Sequence, residues 1–127
     1  MTPEVPAVLL QLSAIAQRNA MPGVPDPERA SDLGITAMLL AIAAEVWDGA
    51  AQNLVLENRA LRKLLGEAGE DDDVRLSKLK AENDRLRASL IDAHAAAEAA
   101  GDAERLAAIW GELVASTERR KLSISVV

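Results

Sequence analysis

The side chains that could do chemistry are few in this sequence, and they do not cluster. His94 is the single histidine, in Asp92-Ala-His94-Ala-Ala-Ala-Glu98, with Glu98 one helical turn on. Two ligands are too few to hold a metal, and no second Glu-x-x-His occurs. The pair reads as a contact on a helix surface worth about 0.3 kcal/mol. Glu70-Asp71-Asp72-Asp73 lacks the alternating carboxylates and closing Glu of a calcium loop. It reads as a solvated acidic turn that caps the helix after it. Glu118-Arg119-Arg120-Lys121 reads as positive charge complementing the end of a helix dipole.

Without Cys there is no thiolate nucleophile, disulfide or Cys-zinc site. No Gly-rich phosphate loop, Gly-x-Ser-x-Gly elbow or His-Glu-x-x-His occurs. The expectation is a protein that is not an enzyme, with no catalytic residue, no metal and no cofactor. Fourteen basic against twenty acidic side chains leave a net charge of −6, which speaks against nucleic acid or an anionic membrane as partner. Basic residues between 59 and 87 alternate with acids, unlike the continuous basic stretch of a DNA-reading zipper.

Met1-Thr2-Pro3-Glu4 lacks the basic flank of a signal peptide. The longest apolar run, Gly34 to Ala44, falls short of the roughly twenty residues that span a bilayer. It is expected to form a buried helix in a cytoplasmic protein. Ser125-Val126-Val127 has the form of a C-terminal peptide ligand, but a frayed end is the simpler reading.

The elements that position these residues are helical. Ala, Leu, Glu, Arg and Lys dominate, there is no Phe or Tyr, and Trp47 and Trp110 are the only aromatics. Apolar spacing predicts helices over about 4–19, 27–65, 73–100 and 103–121, in one domain of 127 residues. Asp26-Pro27-Glu28 is a helix start, and Gly101-Asp102 a stop followed by a cap. Gly66 and Gly69 end the second helix, while Gly34 and Gly49 could bend it.

The most specific signal is an internal echo. Leu54 to Leu65 and Leu79 to Leu90 agree at six of twelve positions, and both copies contain Leu-x-x-Glu-Asn-x-x-Leu-Arg. Leu54, Asn58, Leu61 and Leu65 in one copy, and Leu79, Asn83, Leu86 and Leu90 in the other, form a heptad seam that Leu76 extends. Both copies resemble coiled-coil segments. Reflecting Asn58 onto Asn83 places the turn inside the Gly-rich acidic stretch. The predicted fold is therefore all-α, a bundle of about four helices round a long antiparallel coiled-coil hairpin. A parallel dimer with each Asn paired to its own copy is the other use of the seam.

The second helix is apolar on several faces, more than one hairpin mate would hide. The expected role is a protein–protein interaction module, a homodimer or an adaptor, chaperone or regulatory subunit docking on another protein. The alternatives are a small-ligand-binding bundle and a nucleic-acid-associated regulator. From the seam alone, replacing Asn58 and Asn83 by Leu is expected to raise the melting temperature. The same reflection expects Trp47 and Trp110 to be largely buried in one layer over Ala93 and Ala97.

Overall fold

The computed structural model describes residues 4–123, and the tail at 125–127 lies outside them. The fold is an all-α helical bundle. Its α-helices are α1 (Val5–Ile15), α2 (Pro27–Leu65), α3 (Leu76–Ala100) and α4 (Ala103–Arg119). Between α1 and α2 the chain makes a π turn over Ala16–Ala20 and a 3-10 turn over Met21–Gly23. The sequence reading treats 1–127 as one domain; the packing divides it into two compact units. One takes in the described chain up to Gly49 with Leu122 and Ser123, and the other runs Ala50–Lys121.

In the first unit, α1 runs beside the first part of α2. The Ser13 hydroxyl donates to the Ala37 carbonyl at 2.8 Å. Among its described residues the buried side chains are all alanines: Ala16, Ala37 and Ala44. The expected buried helix over Gly34–Ala44 is thus only partly buried: Ala37 and Ala44 are covered, Met38, Leu40 and Ile42 are half-buried, and Ile35 and Leu39 are exposed. The physical reason is that this unit supplies α1 as a neighbour, and one helix can cover only one face of another. By length and composition α2 could cross a membrane, with a mean hydropathy of 1.5 over 18 residues of which 11 % are buried.

In the second unit, the last part of α2, α3 and α4 pack round Leu61, Leu86, Leu90 and Ile109, with Leu64, Leu65 and Leu113 against them. α2 starts at Pro27 and ends at Leu65, as the sequence predicts. Asp26 accepts from the Glu28 backbone N–H at 2.9 Å, which fixes that start. Gly34 and Gly49 do not interrupt the helix. Gly66 and Gly69 take positive φ of 72° and 111° in the turn that follows.

The acidic run does not cap α3. That helix begins at Leu76, and Arg75 before it makes no side-chain cap. Asp73 instead accepts from the backbone and side chain of Arg75. At the other turn, Gly101 closes α3 in the left-handed conformation, at φ 65°. Asp102 then accepts from the Arg105 backbone N–H at 2.9 Å. Asp102→Ala removes a partner from α4's first turn, and Gly101→Ala puts a Cβ where the left-handed backbone disfavours one. Each is expected to cost about 1 kcal/mol, read as a lower urea midpoint at unchanged slope.

Candidate functional site

The interior of the second unit is polar on one side. In this unit α2 buries Glu57, Asn58, Leu61 and Arg62, two seam positions each beside a charged residue. On α3 the buried set is Leu79, Asn83, Leu86, Leu90 and Ala97, a heptad line. On α4 it is Ile109 and Ser116, two turns apart. These three lines meet at Glu57.

Glu57 is 2 % exposed. It accepts from Asn83 Nδ2 at 3.1 Å, Arg87 Nε at 2.8 Å, Ser116 Oγ at 3.2 Å and Arg120 Nη2 at 2.8 Å. Burial pushes the Glu57 carboxyl up, but the hydrogen bonds from Asn83, Arg87 and Arg120 outweigh it and hold the group below its ordinary value. Arg87 Nη2 also donates to Ser116 Oγ at 3.0 Å, so α3 and α4 are tied through the same guanidinium.

The two asparagines stand side by side. Asn83 Nδ2 donates to Asn58 Oδ1 at 3.0 Å, and Asn58 Nδ2 donates to the Leu79 carbonyl and to Asp71 Oδ1, both at 3.2 Å. Asp71 is therefore not the solvated acid expected in the acidic turn. Its side chain is 6 % exposed and accepts from Arg62 Nη2 at 2.7 Å. The turn folds back because Asn58 and Arg62 carry buried donors that need an acceptor. Arg62 also reaches Glu82 at 3.0 Å, and Glu82 with Glu67 accepts from Arg85. Hydrogen bonds from Arg85 hold the Glu82 carboxyl below its ordinary value.

These bonds cross between the two copies of the echo. Arg62 of the first copy binds Glu82 of the second, Arg87 of the second binds Glu57 of the first, and the asparagines bind each other. The antiparallel pairing is direct: Glu57 faces Arg87, Asn58 faces Asn83 and Arg62 faces Glu82. The copies differ in cover, since α4 supplies Ser116 to Glu57 while Glu82 stays partly exposed.

Of the seam residues singled out in sequence, Asn58, Leu61, Leu79, Asn83, Leu86 and Leu90 are buried, and Leu54 and Leu65 are half-buried. Leu76 is exposed as the first residue of α3. The tryptophans are not buried: Trp47 is 55 % and Trp110 59 % exposed. Trp110 follows Ile109, and one residue turns a side chain about 100° away from the core. Its ring meets His94 edge-on, centroids 6.2 Å apart at 82°. Beneath α4, Ala97 is buried and Ala93 half-buried. His94 Nδ1 lies 3.7 Å from Glu98, the surface pair expected.

Sequence reasoning missed Glu57, Arg62, Arg87, Ser116 and Arg120 as members of one cluster. The repeated Glu-Asn-x-x-Leu-Arg carried the signal for the first three; nothing local marked Ser116, or Arg120 within its basic run. Among the described residues no group of His, Cys, Asp and Glu could hold a metal. Every buried polar atom of this cluster has a partner.

That satisfaction changes the sign expected for the asparagines. Asn58→Leu with Asn83→Leu would remove one hydrogen bond each from Glu57, Arg87 and the Leu79 carbonyl and the Asn58 donor from Asp71, all at buried or part-buried groups. The double variant is expected to lose about 2 kcal/mol or more in chemical denaturation. The depressed Glu57 carboxyl gives stability that is full above its unfolded value, near pH 4.5, and lost as pH falls through the lower folded value. Glu57→Gln is expected to cost about 3 kcal/mol at pH 7 and to flatten the decline of stability below about pH 5. Circular dichroism melts from pH 7 to pH 3 read both effects.

No protein-family model, curated protein or solved structure matches this chain.

Proposed function

We propose that this chain is a non-catalytic protein–protein interaction module of the cytoplasm, in which the polar-locked second unit is a rigid support and the first unit offers an apolar helix face to another protein. The observation that carries the reading is a second seam on α2. Ile35, Leu39, Ile42 and Val46 follow the 4, 3, 4 spacing of a coiled-coil contact line. At about 100° per residue they lie roughly 180° from Ala37 and Ala44, the buried positions of this stretch. Ile35, Leu39 and Val46 are 49, 56 and 46 % exposed. A regular apolar line of this kind, left open to solvent, marks an interaction surface.

Support for a role without catalysis comes from the second unit. In its polar cluster, four carboxylates, Glu57, Glu67, Asp71 and Glu82, pair with four guanidiniums, Arg62, Arg85, Arg87 and Arg120. Such a set holds helices in register, a structural use of these charges.

A photo-crosslinking residue placed at position 39 in living cells of the native host tests this reading. The expected result is a protein adduct from position 39 and none from exposed Ala88 on α3. Equal labelling at the two positions, or none at either, sinks it.

A further inference from the structure

We infer that the occupant of the Ile35–Leu39–Ile42–Val46 line is a second copy of this chain, so that two first units pair across it. The inference rests on the interaction reading above and names its partner.

The core of the first unit is too small for its length. Among its described residues the buried side chains are Ala16, Ala37 and Ala44, while Val8, Leu12 and Ile15 on α1 and Ile35, Leu39 and Val46 on α2 are exposed and Ile42 is half-buried. Units of about this size reach stability through disulfides, a metal or association. The sequence has no Cys, and the described residues hold no metal-binding group. α2 runs on into the second unit, and association of the first unit would cover the apolar side chains it leaves exposed.

The chemistry of the line then selects the partner. A 4, 3, 4 apolar line packs its side chains into the gaps of a helix with the same spacing. From Leu33 to Ala44 there is no charged residue, so a charge on the partner's facing surface would be desolvated without a counter-charge. The fitting surface is an uncharged heptad line of equal length. This chain carries that surface, and two-fold pairing needs only one such patch because it is complementary to itself. The positions flanking the line are Thr36, Met38, Ala43 and Glu45, one acid per copy, so no row of like charges opposes the pairing. A bilayer is the other apolar occupant, since α2 is long and apolar enough to cross one, and the vesicle arm of the test below separates it from a second copy.

Sedimentation equilibrium on the full chain decides the matter. The expected wild-type mass is twice 13.5 kDa. Leu39→Glu is expected to weaken pairing about 100-fold or more. Ile91→Glu, on an exposed position of the second unit, is expected to leave the dimer intact. If Leu39→Glu disturbs folding, cysteine cross-linking gives an independent answer, since an introduced thiol is the only one in the chain. Air oxidation should link Leu39→Cys to itself or to Ile42→Cys, and should not link Ile91→Cys. A wild-type chain that is monomeric throughout, or a dimer that survives Leu39→Glu, overturns the pairing. If the monomer is then captured at position 39 by a different protein, the second copy falls and the interaction reading stands. If it floats with phosphatidylcholine vesicles and captures no protein, both fall.

Discussion

A carboxylate almost out of contact with solvent lies where the last turns of α2 meet α3 and α4. Isolated, a buried Glu57 would cost several kcal/mol and would protonate instead. It stays charged because Arg87, Arg120, Asn83 and Ser116 all donate to it. Those donors come from α3 and from the end of α4, so satisfying one side chain of α2 brings three segments together. The apolar cluster of Leu61, Leu86, Leu90 and Ile109 supplies the nonspecific attraction. Glu57 decides which turn faces which, because a slip of one turn would strand a buried charge.

The echo in the sequence is the origin of this arrangement. An antiparallel pair of like helices carries a local two-fold, and a Glu-Asn-x-x-Leu-Arg motif on each helix places the Arg of one beside the Glu of the other. The bonds Arg62–Glu82 and Arg87–Glu57 are those two crossings, with Asn58 and Asn83 between them. α4 breaks the symmetry. It covers the Glu57 side, adding Ser116, and leaves Glu82 to the exposed Arg85. The acidic turn closes the other end, where Asp71 meets Arg62 and Asn58.

The first unit follows a different principle. Among its described residues only alanines are fully buried, and the Ser13 hydroxyl donates across to α2, which encloses little apolar area. Burial of about 25 cal/mol per Å² cannot accumulate where the buried side chains are methyl groups. Several large apolar side chains, Ile35, Leu39 and Val46 among them, stay exposed, while Leu9, Leu33 and Leu40 are only half-buried. One unit is thus locked by specific polar bonds, and the other leaves apolar surface unspent.

Helix positions were legible in the sequence because they depend on local causes. Asp26-Pro27 starts α2, Gly66 follows its end, and Gly101-Asp102 separates α3 from α4, each through backbone groups a few residues apart. The antiparallel sense of the hairpin was legible too, since the echo and the Gly-rich turn between its copies constrain each other. Burial of the two tryptophans was not legible. Spacing shows that a residue lies on a stripe, not whether a neighbour covers that stripe. The polar cluster was half legible: the repeat displayed Glu57, Asn58 and Arg62 with their counterparts. That Asp71 would leave an acidic surface run, and Arg120 a basic one, to satisfy buried partners depended on which unpaired donors and acceptors three helices brought within 3 Å or so of one another. The sequence alone determined the helices and their turns, through interactions spanning a few residues. The tertiary structure alone decided which charges went inside, because the cost of burying a charge depends on partners far along the chain.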